Sequence, residues 1–305
     1  MPVPVIAIFG PTGVGKTAVA IELADRLREQ GREPVAISAD ALQVYEGLEI
    51  ITGVASVLER ERLEHRLISY VPLSEEYSAG RYMPRAHAEI DAALKAGRTP
   101  VVVGGTGLYL RVALAQLDLA PAPPRELRER LERRLAKEGA PLLHGELEGV
   151  DPELAAGIEP GDGKRLVRTL ELLEMGHSPP TPADDSQLWT AQTRHPTLLV
   201  GLTMERDALY AAIDRRVDAM VAAGAAEEAR RAEAAGISRT ARCALGFDEL
   251  LAGDIEGMKR RTRNYARRQL TWMRKLEGVR LTDVTHRPAA PLAASIAQAA
   301  DAALD

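Results

Sequence analysis

One stretch near the N-terminus decides the fold: Val5-Ile-Ala-Ile-Phe-Gly-Pro-Thr-Gly-Val-Gly-Lys-Thr17. Its first residues, Val5–Ile8, are all apolar and predict a buried parallel strand. The segment Gly10–Thr17 matches the G-x-x-x-x-G-K-[ST] phosphate loop, and Ala18–Leu27 carries a helical apolar pattern. Because a strand precedes the loop and a helix follows it, a chance match in a glycine-rich turn is the weaker interpretation.

The phosphate loop predicts a diphosphate or triphosphate ligand. Its glycines allow backbone N–H groups to surround phosphate oxygens, and the helix N-terminus adds partial positive charge. Lys16 supplies a point charge, and the Thr17 hydroxyl is the predicted protein ligand to Mg²⁺. Kinases, motors, switches and transferases share this loop, so it does not select one of them. The predicted phosphate-binding residues are Gly10, Pro11, Thr12, Gly13, Val14, Gly15, Lys16 and Thr17.

The composition predicts a soluble cytoplasmic protein. The 305 residues are 46% hydrophobic, which is ample for a core, and no apolar stretch approaches the length of a membrane span. A lone cysteine, Cys243, excludes an intramolecular disulfide framework and a Cys-rich zinc module. The net charge of −5 argues against a surface uniformly coated with basic residues. We expect a monomer without membrane contact.

Two later predicted strands end at the same edge of the sheet as the phosphate loop, and each is followed by a candidate functional side chain. Pro34–Ser38 leads to Asp40, which is either an N-cap or a general base or Mg²⁺ partner that faces the phosphate loop. Val101–Val103 leads to three glycines, which either let a ligand approach the backbone or only permit tight packing. Among them, Thr106 offers a hydroxyl. Thr197–Thr203 predicts the return of the chain to the sheet.

The middle of the chain predicts an all-helical insertion. A stiff linker, Leu119–Pro124, is followed by predicted helices Arg125–Glu138, Pro152–Ala156 and Gly163–Met175, with no convincing strand. Most charges of the first helix interleave and predict a salt-bridged surface, whereas Lys164–Arg168 is concentrated enough to contact phosphates. The predicted domains are 1–117 and 189–305 for the sheet core and 118–188 for the insertion. Between Ile50 and Ser69 we expect a loop and a helix, Leu58–Glu64, and then a helix Tyr77–Leu94.

The last informative segment of the sequence is a predicted basic helix. Lys259–Lys275 contains eight basic residues and no acidic one. At ~100° per residue the basic side chains fall within one arc, opposite Tyr265, Leu270 and Trp272. This pattern predicts an uncompensated basic stripe that binds a polyanion. The preceding predicted helix, Asp207–Ala222, contains Arg215 and Arg216, and an arginine here either meets a phosphate or pairs with its neighbouring aspartates.

These motifs, in this order, resemble the tRNA dimethylallyltransferase (tRNA isopentenyltransferase) family over nearly the whole chain. The resemblance rests on the phosphate loop, Ser38-Ala-Asp-Ala-Leu-Gln-Val-Tyr45, Val103-Gly-Gly-Thr-Gly-Leu-Tyr109, Lys164–Arg168 and Arg267-Arg-Gln-Leu-Thr-Trp-Met-Arg274. It implies an α/β fold with a P-loop kinase-like parallel sheet core, helices on both faces and an all-helical insertion domain. The implied reaction transfers a dimethylallyl group from its diphosphate to N6 of the adenosine 3′ of the anticodon, at position 37 of tRNAs that read codons beginning with U.

The resemblance also implies roles for individual residues. Asp40 would accept the N6 proton, and Thr106 would position the base or the diphosphate. The leaving diphosphate would be stabilised by Lys16, Arg216 and Mg²⁺ on Thr17. The implied partners are dimethylallyl diphosphate and the anticodon stem-loop of tRNA. The implied tRNA-binding residues are Asp40, Ala41, Leu42, Gln43, Thr106, Arg128, Lys164, Arg165, Leu166, Val167, Arg168, Arg242, Cys243, Gly246, Phe247, Arg267, Arg268, Gln269, Leu270, Thr271, Trp272, Met273 and Arg274.

The sequence departs from the family pattern at Ala41, where Ser is common, at Ile51–Ala55, and at His65-Arg66, where members often have two His. Other classes stay open. A small-molecule or nucleoside kinase would use the same loop and Asp40, but it leaves the basic helix and the insertion without a role. A nucleotide switch leaves Asp40 and Thr106 unexplained, and the insertion argues against a prenyltransferase of free adenylate.

Overall fold

The computed structural model describes residues 4–179 and 186–302, and the chain divides into two compact units. One unit comprises Met1–Gln116 with Ala191–Asp305, and the other comprises Leu117–Thr190. Among the described helices, none is both long enough and apolar enough to cross a bilayer.

The first unit is built on a six-stranded parallel sheet. Its strands are β1 (Val5–Phe9), β2 (Pro34–Ser38), β3 (His65–Arg66), β4 (Thr99–Gly104), β5 (Thr197–Thr203) and β6 (Arg280–Asp283). They lie in the order β3-β2-β4-β1-β5-β6, and neighbouring strands are parallel. Every residue of β1 and β2 is buried, as expected of a parallel sheet that is covered on both faces. The predicted α/β class with a parallel core is confirmed.

Sixteen helices are assigned within the described ranges. In chain order they are α1 (Lys16–Glu29), α2 (Glu49–Thr52), α3 (Val57–Arg62), α4 (Ala79–Lys95), α5 (Gly107–Leu114), α6 (Arg125–Glu138), α7 (Ala140–Val150), α8 (Pro152–Ala156), α9 (Gly163–Glu174), α10 (Ser186–Trp189), α11 (Arg206–Ala222), α12 (Ala225–Ala234), α13 (Arg239–Arg242), α14 (Phe247–Ala252), α15 (Ile255–Met273) and α16 (Ala289–Ala302). Helices α6 to α10 belong to the second unit, and the others belong to the first.

The strand register places three loops at one edge of the sheet. Phe9 of β1 lies opposite Gly104 of β4, and Ser38 of β2 lies opposite Val103. The carboxyl ends of these strands are therefore level. Because ligands of open parallel sheets bind outside the carboxyl ends, the phosphate loop and the segments around Asp40 and Thr106 converge where a ligand is expected.

The second unit has its own apolar core, made of two clusters. Leu131, Leu143 and Val167 form one cluster, and Leu147, Leu154, Ala155, Ile158 and Leu166 form the other. These residues come from α6, α7, α9 and the segment of α8 with the turn after it, and the unit contains no strand within its described residues.

Several elements differ from the sequence expectation. The edge strand β3 lies directly after the predicted helix Leu58–Glu64, where no strand is expected, and at two residues it is too short to show a strand period. Helix α7 is not predicted, because Gly145 and Gly149 weaken the helical pattern. The basic helix begins at Ile255, earlier than predicted, because the Asp254 side chain accepts from the Gly257 N–H and caps it.

Candidate active site

The phosphate loop has the backbone that its glycines allow. Gly13 and Gly15 have φ values of +83° and +91°, a region that other residues rarely adopt. Gly15 is the N-cap of α1. Within the described part of the chain, the N–H groups of Gly13, Gly15, Lys16 and Thr17 donate to no protein acceptor. Such unsatisfied amides at a helix N-terminus form an anion-binding site.

Two cations face this loop. Lys16 Nζ donates to the carbonyls of Gly10 and Pro11, at 2.9 and 3.0 Å. Burial, aided by the nearby positive charge of Arg216, lowers the pKa of Lys16 to about 8. Burial also lowers the pKa of Arg216, which the charge of Asp40 partly offsets. An anionic ligand would relieve this unfavourable concentration of positive charge.

Arg216 does not pair with its neighbouring aspartates, contrary to one of the sequence alternatives. Asp214 accepts from Arg263 of α15, and Asp218 pairs with Lys259 of the same helix. Among the described residues, Arg216 has no hydrogen bond or ion pair. Its guanidinium fits against Gly53, where an added Cβ would lie 1.9 Å from one of its terminal nitrogens.

Asp40 is held in place by hydrogen bonds from both sides. Its Oδ1 accepts from the backbone N–H groups of Leu42 and Gln43, at 2.9 and 3.4 Å, and Oδ2 accepts from Thr106 Oγ1 at 3.4 Å. The turn-capping interpretation and the functional one are therefore compatible. The capping bonds orient a half-buried carboxylate that lies near Lys16 and Arg216 but forms no ion pair within the described residues.

Tyr265 is a site residue that the sequence alone assigns only to a buried helix face. Its hydroxyl lies 3.5 Å from Thr106 Oγ1, which in turn contacts Asp40. Burial, together with the charge of Asp40, raises the pKa of Tyr265 to about 12, so the phenol is neutral near pH 7. In the sequence, the signal that could have identified Tyr265 as a site residue is its position two residues before the Arg267–Arg274 motif.

The glycine turn after β4 accommodates protein atoms, which supports the packing interpretation of these glycines. An added Cβ on Gly104 would lie 2.2 Å from the Ala39 carbonyl oxygen, and one on Gly107 would lie 2.2 Å from the Trp272 indole. The Trp272 ring also meets Phe9 edge to face, with centroids 5.9 Å apart. The turn therefore fixes α15 against the sheet edge.

The predicted tRNA-binding residues of α15 divide between the two sides of the helix. Arg267, Arg268, Thr271 and Arg274 lie toward solvent. Gln269 and Met273 are buried, and Leu270 and Trp272 are less exposed than the arginines. The side chains of Gln269, Met273 and Trp272 pack against the core, and their contact with tRNA stays a prediction.

Three of the four basic residues in the first half of the basic stripe are paired with acids, contrary to expectation; Arg260 is the exception among the described residues. Lys259 pairs with Asp218 and Glu256, Arg261 pairs with Glu249, and Arg263 pairs with Asp214. The sequence pattern of a single helix could not show these acids, because most lie on α11 and α14. Arg267, Arg268 and Arg274 have no acidic partner among the described residues. Arg268 lies over the Tyr265 ring, 5.6 Å from its centroid.

In the second unit, part of the predicted tRNA-binding set supports the fold of that unit. Leu166 and Val167 belong to its apolar clusters, so their side chains do not face solvent. Arg128 forms two hydrogen bonds, of 2.6 and 2.7 Å, with the fully buried Glu171, and Arg168 donates to the same carboxylate. Lys164 and Arg165 lie at the first turn of α9, outside these clusters. The predicted contacts of Arg128 and Arg168 with tRNA would compete with this buried pair.

The segment around α13 and α14 is also shaped by packing. Phe247 is fully buried, and an added Cβ on Gly246 would lie 2.6 Å from Met258. We therefore assign Phe247 and Gly246 to the core. Arg242 pairs with Glu233 and Asp248, and Cys243 is exposed.

The atypical segment Ile51–Ala55 is tied to the site through Gln43. The Gln43 side chain accepts from Ser38 Oγ and donates to the carbonyls of Thr52 and Gly53, the latter at 3.0 Å. Its predicted contact with tRNA therefore competes with these bonds. Ala41 and Leu42 are half-buried beside it.

Among the described residues, no cluster of three or more His, Cys, Asp or Glu side chains could hold a metal ion. Thr17 offers a hydroxyl that makes no hydrogen bond to any described residue. This donor set fits Mg²⁺ only in the manner in which that ion binds phosphates, with few protein ligands and several waters.

The IPP transferase family model matches residues 43–276. A tRNA dimethylallyltransferase of Rhodospirillum centenum is 43% identical over 291 residues, which covers 89% of this chain and 88% of that protein. The tRNA dimethylallyltransferase of Thermobifida fusca is 39% identical, with 89% and 87% covered.

Solved structures agree with these sequence relatives. The full-length tRNA isopentenylpyrophosphate transferase of Bacillus halodurans superposes with a TM-score of 0.69 at 32% identity, covering 99% of this chain and 98% of its own. A eukaryotic dimethylallyltransferase studied while acting on tRNA gives a TM-score of 0.72 at 28% identity, covering 92% and 74%.

Proposed function

Because the chain belongs to the tRNA dimethylallyltransferase (IPP transferase) family and is an enzyme of that class, we propose that it transfers a dimethylallyl group from dimethylallyl diphosphate to N6 of adenosine 37. The acceptors would be tRNAs that read codons beginning with U. One observation carries the assignment of the site: the Asp40 carboxylate and two unneutralised cations, Lys16 and Arg216, lie together at the phosphate loop.

The loop would hold the leaving group. An allylic diphosphate breaks its C–O bond more readily when the developing charge on the oxygen is stabilised. The amides of Gly13, Gly15, Lys16 and Thr17 are free to donate to diphosphate oxygens, and Lys16 and Arg216 would add positive charge. As that bond breaks, a bond forms between the allylic carbon and N6 of the adenine.

Asp40 would accept the proton that N6 loses. The Thr106 hydroxyl and the turn amides of Leu42 and Gln43 hold the carboxylate in one orientation, which is what a general base requires. The adenine must leave its stacked loop to reach Asp40, as in other enzymes that act on a single base.

Mg²⁺ would be held by the Thr17 hydroxyl together with diphosphate oxygens and water. When bound, it would neutralise part of the charge of the diphosphate. The protein's own contribution to the same end is the pair Lys16 and Arg216.

The tRNA would be held first by three arginines of α15. Arg267, Arg268 and Arg274 have no acidic partner among the described residues, and they lie on the helix whose inner face carries Tyr265 and Gln269. In the second unit, Lys164 and Arg165 are further candidates, because they lie outside the apolar clusters of that unit.

Nucleoside mass spectrometry tests the reaction directly. Unmodified tRNA, incubated with the protein, Mg²⁺ and dimethylallyl diphosphate, should yield N6-dimethylallyladenosine at position 37. A tRNA with guanosine at that position should yield none. Absence of product from the adenosine-containing tRNA would contradict the proposal.

A kinase remains the contrasting hypothesis, because its phosphate loop would have the same backbone. Calorimetric titration with dimethylallyl diphosphate and with ATP separates the two. We expect tighter binding of dimethylallyl diphosphate, whereas tight ATP binding with transfer of its γ-phosphate to a small acceptor would favour the kinase.

A further inference from the structure

Gln269 connects the phosphate loop to the glycine turn after β4. Its Oε1 accepts from the Thr12 N–H at 2.9 Å, and its Nε2 donates to the Gly105 carbonyl at 2.7 Å. The side chain is only 5% exposed. Because the carboxamide oxygen accepts one hydrogen bond and the nitrogen donates the other, the carboxamide is held in one orientation. The helix that carries it is fixed on either side by Tyr265 at Thr106 and by Trp272 at Gly107.

Gly105 provides the room for this carboxamide. A Cβ at position 105 would lie 2.4 Å from Gln269 Nε2, 3.3 Å from the Gly10 carbonyl oxygen and 3.4 Å from Lys16 Nζ. The carboxamide therefore lies at the Gly10–Thr12 end of the loop, close to the lysine that serves the outer phosphates in this class of loop.

The hydrogen bond from Thr12 reduces the number of donors that the loop can offer. Gly13, Gly15, Lys16 and Thr17 have free N–H groups, whereas the Thr12 N–H is already bound, and the Val14 N–H makes a long bond of 3.4 Å to the Pro11 carbonyl. The free amides are thus grouped toward the start of α1. At the other end of the loop, the group beside Thr12 is a carbonyl-type oxygen, Gln269 Oε1, whose partial negative charge repels anions.

We propose that Gln269 is a specificity-determining residue, which restricts the phosphate loop to a ligand with two phosphates. A third phosphate would need either the Thr12 N–H, which Gln269 occupies, or the space next to Gln269 Oε1. This inference rests on the proposed binding of a diphosphate in the loop. It explains how a loop of the nucleotide-binding type can prefer a prenyl diphosphate to a nucleoside triphosphate without losing a loop residue.

The test compares inorganic diphosphate with tripolyphosphate, so that neither a prenyl group nor a nucleoside contributes. Dissociation constants are measured by calorimetry on the full chain. Gln269→Ala and Gln269→Met both free the Thr12 N–H, and Met also keeps most of the side-chain volume. Each should improve the binding of tripolyphosphate relative to diphosphate by about tenfold, the effect of one regained hydrogen bond to a charged group. Gln269→Glu keeps an acceptor and adds a negative charge, so it should shift the ratio in the opposite direction.

The ratio separates specificity from simple loosening of α15, which would weaken both anions together and leave the ratio unchanged. Gln30→Ala is the matched control, because exposed Gln30 donates to Asp301 through the same type of carboxamide. If diphosphate binds but the ratio is the same in all variants, the role of Gln269 is refuted and the proposed function stands. If the wild-type protein binds neither anion, the loop assignment and this inference both fail.

Discussion

At the scale of single residues, the chemistry depends on a carboxylate that has cations nearby but no ion pair. The hydrogen bonds of Asp40 come from neutral groups, namely Thr106 and two backbone amides. Its Oδ2 accepts only the long hydrogen bond from Thr106 and lies in no ion pair among the described residues, so it can still accept a hydrogen bond from a substrate amine. The free cations, Lys16 and Arg216, remain available for the diphosphate.

Asp40→Asn should lower the single-turnover rate by about 10²- to 10⁴-fold, the usual effect of losing a general base. The affinity for tRNA should change much less, because the amide can still accept from Leu42 and Gln43. Rapid-quench kinetics with saturating tRNA and dimethylallyl diphosphate measures the rate, and filter binding measures the affinity. A variant rate near that of the wild type would remove Asp40 from the mechanism.

Lys16 predicts a pH dependence of diphosphate binding. Its pKa of about 8 is below the ordinary lysine value of 10.5, because the folded protein disfavours its charged form. The bound anion needs that charge, so the affinity should be full below pH 8 and fall by about tenfold toward pH 9. The lowered pKa of Lys16 also affects stability: the free energy of unfolding should rise with pH between about 8 and 10.5, because in this range the unfolded chain binds more protons than the folded one.

Calorimetry with inorganic diphosphate at pH 7, 8 and 9 checks the first part of this prediction. Lys16→Met should bind more weakly than the wild type at pH 7 and show a flatter profile. Constant wild-type affinity across this range would show that Lys16 does not titrate where its environment indicates.

At the scale of elements, α15 joins the two parts of the proposed reaction. Its inner face contacts the phosphate loop, Thr106 and Gly107, through Gln269, Tyr265 and Trp272. Its outer face presents Arg267 and Arg268, and Arg274 follows as its C-cap; none of the three has an acidic partner among the described residues. One helix therefore carries both a proposed tRNA-binding surface and three supports of the reaction centre.

Arg268→Ala and Arg267→Ala, combined, should weaken tRNA binding and reduce the slope of log K against log salt by roughly 0.7 to 0.9 for each phosphate that is no longer neutralised. Affinity for diphosphate should be nearly unchanged. Arg261→Ala on the same helix is the matched control, since Arg261 is already paired with Glu249 and should change the slope less. An unchanged slope in the double variant would mean that this end of the stripe is only a solvated surface.

At the scale of the whole molecule, the two chain segments that connect the second unit to the sheet unit begin and end close together, so the second unit can be replaced by a short linker. The Arg194 N–H donates to the Leu114 carbonyl at 2.8 Å, so the chain leaves the sheet unit and returns to it at neighbouring positions. The second unit also has its own apolar clusters. We therefore expect the sheet unit to fold when residues 117–190 are replaced by a short glycine–serine linker.

The shortened protein should keep its affinity for diphosphate within about threefold and bind tRNA at least about tenfold more weakly, because it lacks Lys164 and Arg165. Circular dichroism verifies the fold, and the two affinities are measured as above. Retained tRNA affinity with an intact fold would assign all tRNA binding to the sheet unit.

Local sequence determined the elements whose signals are short-range. The strand–loop–helix at Val5–Leu27 follows from apolar runs, glycines at positive φ and a helical period, and the aspartate after β2 and the threonine after β4 follow from the rule for parallel strands. Only the tertiary structure decided which charges remain free. Arg263 and Lys259 are neutralised by acids of α11, and Arg216 is left unpaired for the same reason. It also decided that Gln269 and Tyr265 reach the site. The pairing of charges and the burial of side chains depend on which helices pack together. Helices that are far apart in the sequence show no local pattern that indicates this packing.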